Sequence, residues 1–462
     1  MFFILILDMD LDLISRKLDS ADIKYWEFRQ DSNESTTAIA WNNQIKRLAS
    51  SMKLGWSIRL LLGNSWSFVY FEDEKKLDDA IRRAIHSARS LDKYSRSHKE
   101  LFGSEAVKSD KKTRLKIDPA DISLQEKKKL VLGLSKIQCK KTKNNQIIYL
   151  DQRKDMTFMN SEGSDIHQRL TYCYCGASVT VQDNGVMESF DVRKGGLTGF
   201  ELTKSLPEIA ISAHKKALSL TKAVVPKGGI YPVVCDPGLT DVFIHEALGH
   251  AAEADLVRSK DSCLQGMMGN KIAKNFVNVY DDSTLKGGWG SFFFDDEGIE
   301  AQKTQLIKSG RLVSFMHSRE TAAEMNVKST GNARAQSVAY VPQVRMSNTY
   351  IEKGQYKRDE LFEGIKLGVY LGGSRGGQVD TAKGSFQFSA QEGFMIRNGR
   401  LCERLRGVSL AGSTLKTLAN IEKVSDRYQE GFPGFCGKGG QSVPVIGNCP
   451  HILIRKATVG GK

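Results

Sequence analysis

Three turn signals constrain the fold of this chain more than any other feature of its sequence. Asp183-Asn184-Gly185 follows the alternating runs Asn145-Gln-Ile-Ile-Tyr-Leu and Leu170-Thr-Tyr-Cys-Tyr-Cys-Gly-Ala-Ser-Val-Thr-Val. Ser309-Gly310 separates Thr304-Gln-Leu-Ile from Leu312-Val-Ser-Phe, and Asn398-Gly399 separates Gly393-Phe-Met-Ile from Leu401-Cys-Glu. Such dipeptides accept the positive φ that a tight hairpin demands, so the strands on either side return antiparallel. With 42 Gly against only 9 Pro, the expected class is α+β, with a second half that is β-rich and mostly antiparallel.

A length of 462 residues allows two or three domains with cores of their own. Residues 1–225 read as an N-terminal α/β domain. Trp56-Ser-Ile-Arg-Leu-Leu-Leu and Ser67-Phe-Val-Tyr-Phe alternate as strands, and a helix comes next with Leu77, Ile81, Ala84 and Ile85 on one face. Pro207 opens a second helix, from Glu208 to Lys222, and Val224-Val-Pro-Lys-Gly-Gly reads as a linker. Residues 226–462 form the β-rich domain, with a strand at Ile230-Tyr-Pro-Val-Val-Cys and one strong helix after it.

The net charge of +14 would by itself point to nucleic acid or an anionic surface. Residues 96–143, however, hold fourteen Lys or Arg against six Asp or Glu and lack a clear apolar period before a helix expected after Asp118-Pro119. They read as a connector with a basic face. A basic regulator contacting phosphates through this segment is the non-enzymatic alternative, and its affinity would fall steeply with salt. Nucleic acid is not the expected partner, because the charge lies outside the half that carries the chemical motifs.

The opening run Met1-Phe-Phe-Ile-Leu-Ile-Leu lacks a basic leader and runs into Asp8, Asp10 and Asp12. It reads as neither a secretory signal nor a membrane span, which needs about 20 apolar residues. Eight cysteines without a CxxC pair point to a reducing, cytoplasmic setting.

The strong helix reads Thr240-Asp-Val-Phe-Ile-His245-Glu246-Ala-Leu-Gly-His250-Ala-Ala-Glu253-Ala-Asp255. Two imidazoles can bind zinc and leave a position open for water, whose proton the adjacent carboxylate takes. Yet histidines at i and i+5 of an α-helix diverge by about 140° and are separated by about 7.5 Å of rise, against about 40° at i and i+4. Sharing a metal requires a π-type turn or a bend between them, and Gly249 is where the distortion would cost least. Without it, both histidines are satisfied polar groups on a packed helix. Among the thiols, Cys436 in Gly434-Phe-Cys436-Gly437-Lys438-Gly439-Gly440-Gln441-Ser442 is the third candidate, because flanking glycines let the backbone bring a thiolate close to an ion.

Four segments together resemble the TldD/PmbA family, in the order found in TldD-type subunits. They are His245-Glu-Ala-Leu-Gly-His250, the run from Gly331 to Tyr350, Gly376-Gly-Gln378-Val-Asp380 and Cys436-Gly-Lys-Gly-Gly-Gln441-Ser-Val-Pro444-Val. The likeness extends more loosely to Leu54-Gly-Trp-Ser-Ile-Arg59 and its neighbours. It implies a zinc metallopeptidase acting on peptides or unfolded polypeptide, with His245, His250 and Cys436 binding one Zn2+ and Glu246 activating the metal-bound water. It also implies a homodimer or a heterodimer with a PmbA-like subunit, in which a chain carrying the motif is the catalytic partner. The stretch Ala251-Ala-Glu-Ala-Asp255 departs from the glycine-containing sequence usual for TldD.

Other motifs carry weaker chemistry. Gly372-Gly-Ser374-Arg-Gly376 matches a nucleophile elbow, but the segment from Gly377 to Phe388 is glycine-broken and strand-like where an elbow opens a helix. No phosphate-binding G-x-x-x-x-G-K-[ST] is present. Cys173 and Cys175 share one face of a strand, as a metal or redox pair or, more commonly, as buried structural thiols. Arg334, Arg345 and Asp380 are read as holding substrate backbone or satisfying loops.

Overall fold

The computed structural model of the chain describes residues 11–19, 22–95, 98–429 and 431–461. The apolar run at residues 1–7 lies outside them. Four strands of 19 residues dominate the first half: β1 (Ile23–Trp41), β2 (Gln44–Leu62), β5 (Thr142–Asn160) and β6 (Asp165–Asp183). With β3 (Ser65–Phe71), β4 (Lys108–Lys112) and β7 (Val186–Gly196) they make a seven-stranded sheet ordered β3-β2-β1-β5-β6, with β4 and β7 both on β6. Positive φ at Asn42 and Asn43, and at Asn184 and Gly185, closes the β1–β2 and β6–β7 hairpins.

Helices cover this sheet. α1 (Leu11–Leu18) and α2 (Leu77–Asp92) belong to a core with Trp26, Phe28, Ile58 and Phe71. α2 buries Ala80, Ile81, Ala84 and Ala88, three alanines and one isoleucine, and the partly buried Leu77 and Ile85 flank them. α4 (Leu206–Leu220) buries Leu206, Ile209, Ala213, Ala217 and Leu220 with Ile147, Tyr149 and Val179.

The basic stretch is more regular than its sequence implies. β4 pairs parallel with Asp165–Arg169, and its lysines are exposed, so no apolar alternation marks it. α3 (Leu124–Leu134) starts from a reciprocal Ser123–Glu126 cap. Lys127 turns inward to Asp151 at 2.7 Å.

The second half centres on a nine-stranded sheet. Its strand β8 (Gly229–Cys235) lies between Leu367–Gly372, which runs parallel to it, and Ile452–Gly461, which runs antiparallel. Ser309-Gly310 and Asn398-Gly399 adopt positive φ at both positions, as their hairpins require. At the end of β8, Asp236 accepts the Leu239 N–H at 2.7 Å and Pro237 occupies the first turn, so helix α5 (Pro237–Phe243) starts at the sheet's carboxyl edge. α5 is buried on nearly all sides in a core that includes Val233, Leu239, Phe243, Leu248, Val369 and Phe388. Each such side chain contributes about 1.5–3 kcal/mol.

Buried ion pairs tie the two halves together. Arg59 lies 3.3 Å from Glu27 on β1 and 2.9 Å from Glu297, and Arg29 lies 3.2 Å from Asp296.

Candidate metal centre

α5 does not continue as an α-helix. From Ile244 to Gly249 the backbone widens to a π-turn, and the His250 N–H donates to the His245 carbonyl, five residues back. That bonding stacks residues five apart, so His245 and His250 turn to the same side, with ring centroids 5.1 Å apart and planes at 83°. A single 3-10 turn, His250–Ala252, ends the run, and Glu253 is extended.

Gly249 serves this turn differently from the expectation. Its φ of −58° and ψ of −53° are ordinary helical values, so conformational freedom is not what it supplies. A Cβ there would lie 2.0 Å from Met346 Sδ. Glycine leaves free the space that the buried Met346 side chain fills.

Cys436 reaches the histidines on the two-stranded hairpin Gly434–Lys438 and Gln441–Val445, where it opposes Val443. Its Sγ lies 3.3 Å from His250 Nε2, and one donor atom from each of His245, His250 and Cys436 falls within 4.8 Å of the others. Burial raises the Cys436 thiol, but the His245 charge and hydrogen bonds from both imidazoles override it and hold it down to about 4. Burial likewise lowers both histidines, and the Cys436 thiolate beside His245 and the Glu253 carboxylate beside His250 outweigh it and raise them.

This donor set fits zinc. Tetrahedral coordination at usual Zn–N and Zn–S lengths places ligand atoms about 3.3–3.8 Å apart, a spacing met by Cys436 Sγ and His250 Nε2 at 3.3 Å, with all three donors within 4.8 Å of one another. Two imidazoles and a thiolate are zinc's preferred donors, and three protein ligands leave a coordination position open. Glu246 is not part of the triangle. Its carboxylate, 26% exposed, lies 3.8 Å from His250 Nε2 and lines a cleft of about 210 Å³ with His245, Arg193, Phe432 and Phe435.

Three residues around the centre were not singled out for it by sequence reasoning or were left open. Arg345, fully buried, donates to the carbonyls of Cys436 and Gln441 and so fixes the hairpin that carries Cys436. Lys438 and Glu253 meet beneath His250 at 3.1 Å. Their sequence signal is the three-residue offset of Glu253 from His250 and the two-residue offset of Lys438 from Cys436; which groups meet depends on the tertiary fold.

The remaining motif residues satisfy local structure. Arg334 donates to the Met346 carbonyl at 2.5 Å, and Asp380 accepts the Lys383 N–H at 3.0 Å in a turn. Ser374 Oγ accepts the Gly376 N–H at 3.0 Å, and the next element is a strand, Gly377–Asp380, where an elbow would need a helix. Cys173 and Cys175 are fully buried, and burial pushes both thiols up. Among the described residues no helix is long and apolar enough to cross a membrane.

Comparison with known proteins places these features in a lineage. Residues 26–88, 117–221 and 228–461 match the models for domain 1, the central domain and the C-terminal domain of PmbA/TldA metallopeptidases. A metalloprotease of Methanothermobacter thermautotrophicus is 38% identical over 461 residues, covering 98% of this chain and 100% of the relative. A zinc metalloprotease TldD homolog of Saccharolobus solfataricus is 30% identical over 466 residues, covering 96% of each chain. In fold, the chain is similar to a crystal structure from Thermotoga maritima named for modulation of DNA gyrase, with TM-score 0.81, 19% identity, and coverage of 97% of this chain and 99% of that one. The chain belongs to the PmbA/TldD family of metallopeptidases.

Proposed function

We propose that the chain is a zinc-dependent peptidase that hydrolyses peptides or unfolded polypeptide segments, with His245, His250 and Cys436 as metal ligands and Glu246 as general base. The observation that carries this reading is the convergence of three zinc-type donors within 4.8 Å, with a carboxylate beside them that faces an open cleft. Zinc held there would polarise a carbonyl and bring the pKa of a bound water down towards ~7. Glu246 then takes the proton of the attacking water and returns it to the leaving amine.

The surroundings suit a polypeptide. Val242, Phe432, Pro433, Phe435, Val445 and Ile446 give the cleft an apolar wall, and Phe435 is 59% exposed. The Gly434–Lys438 hairpin has only two strands, so an extended substrate could add to its edge through main-chain hydrogen bonds with little sequence preference.

The test is turnover of an unstructured fluorogenic peptide by the zinc-loaded protein and its Glu246→Gln variant. The expected result is retained zinc with turnover reduced by at least about 100-fold. Undiminished turnover in the variant, or in chelator-stripped protein, contradicts the reading.

A further inference from the structure

Below His250, on the side away from Cys436, lies a carboxylate with no exposure to solvent. Glu253 is 0% exposed, and its Oε2 accepts from His250 Nδ1 at 3.1 Å. The same oxygen lies 3.1 Å from Lys438 Nζ, and Oε1 has no hydrogen-bond partner. Lys438 is itself fixed, donating to both Asp255 carboxylate oxygens at 2.7 and 2.8 Å and to the Val344 carbonyl at 2.9 Å.

The arrangement has a direct consequence for the ligand. An acceptor at Nδ1 keeps a proton on that nitrogen, so the lone pair of the neutral ring sits on Nε2, which is the atom facing Cys436 Sγ at 3.3 Å. Lys438 is two residues beyond Cys436 on one strand, so both side chains leave the same face. One strand thus delivers a metal ligand and also the cation that compensates the carboxylate orienting a second ligand. A buried carboxylate lacking such compensation would be strongly disfavoured where it stands.

We infer that Glu253 and Lys438 are positioning residues of the metal centre: Glu253 sets the tautomer and orientation of His250, and Lys438 holds Glu253 in place. This rests on the zinc reading of the site. The pairing also gives the third residue of the Cys436-Gly-Lys438 segment a function connected to metal binding.

The experiment is zinc competition with a chromophoric chelator on the full chain, alongside urea unfolding of each metal-free protein. Glu253→Gln and Lys438→Met are each expected to weaken zinc binding about 10- to 100-fold. The Glu253→Gln, Lys438→Met double variant removes both charges of the pair and leaves Asp255, 22% exposed, without its cation; it is expected to remain folded in urea titration while zinc binding stays weakened, which a merely structural role would not produce. A well-folded double variant binding zinc within twofold of wild type overturns the inference. Wild-type protein that binds no zinc overturns the metal reading and this inference with it.

Discussion

Cys436 Sγ and His250 Nε2 stand 3.3 Å apart although 186 positions separate them in the chain. Two independent backbone devices bring them together: a π-turn at the carboxyl edge of one sheet and a short hairpin pinned by Arg345. The approach of these donors therefore depends on the packing behind them.

The close approach at Gly249 gives the first prediction. Gly249→Ala places a methyl against Met346 Sδ and should destabilise the fold by about 1–3 kcal/mol in urea unfolding. Met346→Ala opens the space, so the double variant should be less destabilised than the sum of the single ones by about 1 kcal/mol or more. Simple additivity would contradict the contact.

His451 gives a pH dependence. Burial, with the Arg358 charge adding to it, lowers its pKa from 6.5 to about 4. The unfolded chain therefore binds the proton more readily, so this contribution is complete above pH 6.5, is lost as pH falls towards 4, and amounts to about 3 kcal/mol at most. His451→Phe preserves a ring beside Tyr370 and should reduce the fall in urea midpoint between pH 7 and 4. An unchanged fall would contradict the assignment.

Arg59 lies between Glu27 and Glu297 at the junction of the two halves, with all three side chains no more than 6% exposed. Arg59→Met leaves two buried carboxylates facing each other and should cost about 3–5 kcal/mol. Unfolding within about 1 kcal/mol of wild type, by urea titration at neutral pH, would show that the junction does not depend on this cation.

Much of this architecture is legible in the sequence where local chemistry decides it. The turns at Asn184-Gly185, Ser309-Gly310 and Asn398-Gly399 are readable because positive φ is a property of the dipeptide itself. The i, i+5 spacing of His245 and His250 makes a π-turn the condition for a shared metal, and the backbone meets that condition. Long-range contact is what the sequence conceals. Gly249 looks like a hinge until Met346 is placed against it. β4 has no apolar alternation because its side chains face solvent and its pairing is made by the backbone. Lys127, one basic residue among many, is buried only because Asp151 on β5 faces it. Glu253 and Lys438 acquire meaning only when the hairpin folds against the His250–Ala252 turn and Glu253.

The most direct test of the central claim is the zinc content of the purified wild-type protein and its Cys436→Ala variant, measured by plasma mass spectrometry after dialysis against trace zinc. The account predicts about one zinc per wild-type chain, with the metal lost in a variant that still folds. Equal zinc in the two proteins, or none in either, would contradict it.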